Sequence, residues 1–230
     1  MNFIWLKIII SYILKKEPEL KKLISIDIYS DTICPWCYIG YKKFISAIKS
    51  SQNNCFEIIW RPFQLNPDLP ISGIERQMYL EDKFGGKQNA IDTYNLIYKT
   101  GLKNNIHFQF EKIKITPNTF ASHKLLALSY KYKKQNEILE SLFYAYFIEG
   151  INIGSIDELC KIASQHNILD HKTLNYLQSE EDKQNLLAEE TQAREFGITG
   201  VPCFIINKEH VIFGAQDENI FLNLFIQINK

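Results

Sequence analysis

Leu23-Ile24-Ser25-Ile26-Asp27-Ile28-Tyr29-Ser30-Asp31-Thr32-Ile33-Cys34-Pro35-Trp36-Cys37 sets a C-x-x-C pair at the junction of two unlike patterns. Its first seven residues alternate apolar and polar side chains and are rich in β-branched residues, the pattern of a half-buried strand. Ser30-Asp31-Thr32 breaks the alternation. From Cys34 onward, Tyr38, Tyr41, Phe44, Ile45 and Ile48 recur at helical spacing, which predicts a helix to about Lys49. Pro35 suits its first turn, where a missing N–H costs nothing. Phe56-Glu57-Ile58-Ile59-Trp60 then reads as a second strand and Asn66-Pro67-Asp68-Leu69-Pro70 as a loop. Strand, helix, strand in this order is the right-handed crossover that joins two parallel strands.

Further along the chain, strand character is absent for about a hundred residues. Ile74 to Phe84, Gln88 to Thr100, Phe120 to Lys133, Glu137 to Phe147, Ile156 to His166 and Lys172 to Phe196 carry helical patterns, a block of five or six helices. Ser155 and Asp157 stand where a helix cap is needed. Strand character returns at Val201 to Ile206, turns at Asn207-Lys208-Glu209 and resumes at His210 to Phe213. Asp217 is placed to cap a last helix with Ile220, Phe221, Leu224 and Phe225 on its buried face. The expected organisation is one α/β domain whose first part spans 23–70 and second part 197–230. A helical insertion spans 71–196, and an extension of unassigned role spans 1–22.

Composition narrows the class. Of 230 residues, 46% are hydrophobic, enough for a sizeable core. Lys plus Arg and Asp plus Glu both number 26, so no net positive field argues for nucleic acid as a partner. Five cysteines, odd in number and sparse, do not make a disulfide framework. They suit one reactive pair, Cys34 and Cys37, with Cys55 and Cys160 as small buried apolar groups. The apolar run Phe3 to Leu14 is interrupted by Lys7 and is too short to span a bilayer comfortably. It lacks a preceding basic region and a small-x-small cleavage pattern, so it makes a poorly formed export signal. A packed amphipathic extension is the other reading.

The chemistry gathers at Cys34-Pro35-Trp36-Cys37. The thiolate is the reactive form, and a free thiol has a pKa of about 8.5. A helix N-terminus stabilises the anion through unpaired N–H groups and the dipole. Cys34, at that end, is assigned as the attacking thiol. Cys37, one turn later, can attack a mixed disulfide at Cys34 and release the partner. A closed zinc site needs a second pair of ligands, and the other Cys and His residues are scattered singly, so no metal is expected. A purely structural disulfide across so short a loop would gain little loop-closure entropy. Gly200-Val201-Pro202 heads an apolar run with a proline, unusual for a core strand. A cis bond is favoured there, with Pro202 against the cysteine pair and the Val201 backbone free to pair with an extended substrate.

Other residues take plainer readings. Asp27 is more readily a satisfied polar position than a proton acceptor for Cys37. His123, on an apolar stripe, is expected to pack or hydrogen-bond. Cys203 alternates with Pro202 and should face away from the pair. Trp60, Phe63, Tyr79, Tyr144 and Phe147 read mostly as core, with some lining an apolar groove near Trp36.

Several stretches together resemble the DsbA-like thioredoxin family, and within it the FrnE-type subfamily. They are Ser30 to Gly40, Trp60-Arg61-Pro62-Phe63-Gln64-Leu65-Asn66-Pro67, Asn118-Thr119 before His123, Ala145-Tyr146-Phe147, Gly197 to Pro202 and Gly214-Ala215-Gln216. The resemblance implies a thioredoxin-like fold with a large all-helical insertion, a redox-active Cys34–Cys37 pair and a cis Pro202. Pro35, Trp36 and Val201 are the expected substrate contacts. Protein or small-molecule thiols and disulfides, with glutathione a candidate, are the expected partners, and no bound cofactor is needed. Kappa-class glutathione transferases and 2-hydroxychromene-2-carboxylate isomerases share the superfamily, but typically carry Ser at the first motif position. A glutathione-dependent isomerase or transferase is therefore the alternative function. The resemblance leans to the cytoplasm without membrane contact; a working signal in the first residues would instead mean export. Trp36 offers no positive charge to a thiolate, so the oxidising power of DsbA, which has His there, is not implied.

Overall fold

The computed structural model describes residues 22–51, 55–168 and 170–229, so the expectations for the apolar N-terminal run lie outside the described residues. The first strand, β1 (Leu23–Ser30), buries Ile24, Ile26 and Ile28 on one face, as its alternation requires. Helix α1 (Pro35–Ser50) crosses over that face and delivers the chain to β2 (Cys55–Pro62), which pairs parallel to β1 from Leu23↔Cys55 to Ser30↔Pro62. At the other end of the chain, β5 (Cys203–Ile206) and β6 (His210–Phe213) form a hairpin. β5 pairs antiparallel with β1, giving a mixed sheet of order β2-β1-β5-β6.

Helix α9 (Glu218–Ile228) packs beside α1. Phe44 of α1, Phe204 of β5 and Phe221 of α9 meet with ring centroids 4.8–5.4 Å apart, joining the two halves of the core. Two expectations at α9 need correction. Ile220 is exposed, leaving Phe221 and Phe225 as the buried residues. Asp217 occupies the N-cap position, but its carboxylate binds Lys43 Nζ of α1 at 2.6 Å instead of capping the helix.

Residues between the halves form β3 (Ile74–Glu75), α2 (Arg76–Phe84), α3 (Lys87–Leu102), β4 (Ile115–Thr116), α4 (Phe120–Lys131) and α5 (Gln135–Tyr144). A π-helical turn, Ala145–Glu149, follows α5. Then come α6 (Ile156–Gln165), α7 (His171–Gln178) and α8 (Lys183–Glu195). The insertion is thus not all-helical, because β3 and β4 form a short antiparallel ladder. The single helix expected from Lys172 to Phe196 is broken in two. Buried Lys124 explains the break, since its ammonium donates to the carbonyls of Tyr176 and Ser179 and so takes over acceptors at the end of α7. Asp182 then adopts φ 58°, starting α8 in a new direction. Ser155 stands at the N-cap of α6 without a side-chain cap bond.

The insertion grips the sheet through β2. Buried Gln135, at the start of α5, accepts from Trp60 N at 3.0 Å and donates to Trp60 O at 3.2 Å. Its neighbour Asn136 accepts from Trp60 Nε1 at 2.7 Å. On the opposite face of the sheet, α8 lies against β2, with the Arg194 guanidinium 4.2 Å from the Phe63 ring centroid. Cys203 is buried there with Phe63, Ala193 and Ile198. Two aromatic and thiol expectations fail: Cys55 is exposed, at the start of β2, and Tyr144 is 51% exposed, at the end of α5. Gln135→Leu would strand two buried backbone groups of Trp60. A loss of about 2–4 kcal/mol is expected in urea denaturation, more than for an exposed polar residue.

Candidate functional site

The site forms where β1 ends. Cys34 is the N-cap of α1, with extended backbone (φ −88°, ψ 114°), and Pro35 takes the first helical position. The turn is closed by Cys34 N donating to Asp31 O at 3.1 Å, and by Cys37 N and Tyr38 N donating to Cys34 O at 3.0 and 3.2 Å. Cys34 is 4% exposed and Cys37 fully buried, while Trp36 between them is partly exposed. The Cys34 thiol donates to the carbonyl of Val201 at 3.8 Å. The Val201–Pro202 peptide bond is cis. These residues precede β5 rather than lying in it, since the strand begins at Cys203.

Gly40 explains how closely the two segments approach. A Cβ there would sit 2.8 Å from Cγ of Pro202, inside van der Waals contact. The structure thus gathers Cys34, Cys37, Val201 and Pro202 around the first turn of α1, with Pro35 and Trp36 as the first two residues of that helix.

Burial and, after it, the adjoining Cys34 sulfur raise the Cys37 thiol well above the usual thiol range. Cys203, also raised by burial, to about 11, lies on the other face of the sheet and takes no part. Asp27 is turned away as well, on the face where its carboxylate accepts from Arg61 Nε at 2.8 Å.

Of two residues next to the motif, one escapes sequence reasoning, while the other, His123, is packed as expected. Asp31 is fully buried, and its carboxylate accepts from Ile33 N at 3.3 Å and Leu65 N at 2.7 Å, tying the motif loop to the segment after β2. In the sequence it looks like an ordinary turn residue. His123 is packed with Nε2 3.6 Å from Asp31 Oδ1, and neither ring nitrogen has a hydrogen-bond partner. Beside it, Ser122 Oγ and Thr32 Oγ1 are 2.7 Å apart. A surface groove of about 830 Å³ along α8 shares no residue with the motif.

Residues 25–225 match the DSBA-like thioredoxin domain. The chain belongs to that family. The protein YwbO of Bacillus subtilis (strain 168) is 27% identical over 205 residues, which cover 86% of this chain and 94% of that one. The crystal structure of SCO1869 from Streptomyces coelicolor, described as a probable DsbA oxidoreductase, superposes with a TM-score of 0.81. It is 22% identical and covers 89% of each chain. The cytosolic disulfide reductase DsbM from Pseudomonas aeruginosa, solved with GSH, has a TM-score of 0.66 at 11% identity, over 90% of this chain and all of that one. At these identities the two solved structures share the fold. The DSBA-like α/β thioredoxin fold with inserted helices is therefore the architecture of this protein.

Two outcomes follow from this geometry. Gly40→Ala is expected to cost about 1–3 kcal/mol in urea denaturation, because the Pro202 ring must move. Gly200→Ala, with open space around its position, serves as the control within about 0.5 kcal/mol. The second concerns pH. A thiol whose native pKa is raised holds its proton longer in the folded state. Its stabilising contribution is complete below about pH 8.5 and is lost as pH rises toward the native value. Thermal melts of the reduced protein should therefore weaken above about pH 8.5 relative to the oxidised protein, and Cys37→Ala should lessen the loss.

Proposed function

We propose that this protein is a thiol–disulfide oxidoreductase, of FrnE type within its family, that works through Cys34 and Cys37. The observation that carries this reading is the pair of thiols at the start of α1, with Cys34 against the Val201 carbonyl. In the oxidising direction, a substrate thiolate attacks Cys34 of the Cys34–Cys37 disulfide. The new bond is a mixed disulfide, and Cys37 leaves as a thiolate that takes up a proton, the form its burial favours. A second substrate thiolate then attacks the substrate sulfur of the mixed disulfide. Cys34 leaves, the substrate disulfide forms, and two electrons remain on the protein as the dithiol. In the reducing direction Cys34 thiolate attacks the substrate disulfide, and Cys37 resolves the intermediate after losing its proton.

Asymmetry between the two cysteines supports these roles. Cys34 sits at the helix N-cap, where anionic sulfur is stabilised by the unpaired N–H groups. Cys37 is sealed beneath it. Pro35, Trp36, Val201 and Pro202 form the substrate contact, with the Val201 backbone placed to pair with an extended segment. The exchange needs no bound cofactor, and the substrates are protein or small-molecule thiols and disulfides, glutathione among them. Among the described residues no helix is long and apolar enough to cross a membrane. The resemblance supports a cytoplasmic enzyme, with export the alternative should the N-terminal apolar stretch act as a signal.

An equilibrium redox titration in glutathione buffers, read by thiol trapping, tests the function. A reversible two-electron transition is expected, lost in both Cys34→Ser and Cys37→Ser. A midpoint near about −120 to −200 mV would mark an oxidase or isomerase, and one near about −270 mV a reductase. A wild type that binds glutathione without forming the disulfide, with activity retained in Cys34→Ser, would replace this reading by a glutathione-dependent isomerase or transferase.

A further inference from the structure

Among the described residues the insertion buries two cations that no acid neutralises, Lys124, which donates to backbone carbonyls, and Arg76. Arg76 opens α2, is 5% exposed and, among the described residues, has no carboxylate within ion-pair distance. Its Nη1 donates to the Tyr146 hydroxyl at 2.8 Å and its Nη2 to the Tyr94 hydroxyl at 2.8 Å. Both rings also lie under the guanidinium, with centroids 5.2 and 5.7 Å from Cζ. The Nε–H is buried without a partner. A charge withdrawn from water and offered only neutral oxygens is costly to bury.

The surroundings indicate where that field falls. Tyr79, one turn further along α2, accepts from Asn66 Nδ2 and from Lys83 Nζ, each at 2.7 Å. Asn66 follows Leu65, whose N–H binds Asp31 at the base of the motif. A path of contacts thus runs from Tyr79 through Asn66 and Leu65 to Asp31, whose carbonyl accepts from Cys34 N at 3.1 Å. Burial keeps all three tyrosines protonated at neutral pH, Tyr79 being raised to about 12. They therefore carry no negative charge that would cancel Arg76.

We propose that Arg76, held by Tyr94 and Tyr146, is a positioning charge of the redox site, supplying from the insertion the positive potential that favours anionic sulfur at Cys34. This inference rests on the oxidoreductase reading and names the cation that Trp36 does not provide. Glu81, Lys87, Glu111 and Lys114 line the same cavity as Arg76, two acids and two bases, the last three of them exposed. Lys83 on α2 adds to the field through Tyr79, and the buried Asp31 carboxylate beside the motif opposes it. Glu75, on the other side of Arg76, is exposed and occupied with the N–H groups of Gln77 and Met78 at the start of α2. α3 presents Tyr94, the π turn presents Tyr146, and β4 presents the Thr116 hydroxyl at 3.5 Å. None of these three carries charge at neutral pH.

Thiolate absorbance near 240 nm, followed against pH in a Cys37→Ser background, provides the test. Arg76→Gln keeps donors for the tyrosines but loses the charge. It is expected to move the Cys34 titration up by about one pH unit, roughly a tenfold loss of thiolate on the acid side. Arg76→Lys keeps the charge and should titrate with the parent. With Cys37 restored, Arg76→Gln should make the redox midpoint more negative, because the thiolate that stabilises the reduced form is weakened. A Gln variant that melts cooperatively and titrates with the parent overturns the proposal, as does a Lys variant displaced as far as Gln. If Gln does not fold, Arg76→Met makes the same comparison against Lys. Absence of any Cys34–Cys37 transition in the parent would instead refute the oxidoreductase reading.

Discussion

The contact on which the molecule depends joins the first turn of α1 to the turn before β5. It brings Cys34 within 3.8 Å of the Val201 carbonyl across 167 residues of chain. Nothing local enforces that approach. It follows from the antiparallel register of β1 and β5, in which Tyr29 faces Cys203, so that the residues just beyond each strand end at the same edge of the sheet. It also needs the absence of a side chain at Gly40. The Phe44, Phe204 and Phe221 cluster then fixes α1 and α9 on that side of the sheet. Without the sheet the two cysteines would be a pair of thiols on a helix end, with no second surface to define what reaches them.

The parts of this plan that depend on neighbours in sequence were readable from it. β1 shows its period of two in Ile24, Ile26 and Ile28, and α1 shows its helical spacing in Tyr38, Tyr41 and Phe44. Cys34 and Cys37 stand out because a spaced pair after a strand has few other uses. What escaped was set by distant partners. Lys124 reads as one more helix lysine, yet its reach to Tyr176 and Ser179 divides a helix. Asp31 reads as a turn residue, although the Leu65 N–H makes it an anchor. Tyr144 and Tyr146 are two residues apart and alike in composition, but helical turning sets them on opposite sides, one exposed and the other buried against Arg76. Asp217 has the right position for a cap, but Lys43 competes for its carboxylate.

The inserted helices do more than fill space between the halves. Through Leu65 and Asn66 the segment after β2 connects Asp31 to Tyr79, and Tyr79 stands beside the tyrosines that hold Arg76. Val201 and Pro202, from the turn before β5, stand beside the cysteine pair, and Asp31 links the loop of that pair to Tyr79 of the insertion by way of Leu65 and Asn66.

Gln135 has a consequence beyond the two bonds it makes. β2 lies at the border of the sheet, where an unpaired strand offers its amides to any other chain. A primary amide that donates and accepts like a peptide group occupies those positions at Trp60, so the insertion acts there as a one-residue imitation of a fifth strand. The same contact that fastens the insertion also guards this border against pairing with a neighbouring molecule, a device that the opposite border, β6, does not share among the hydrogen bonds of the described residues.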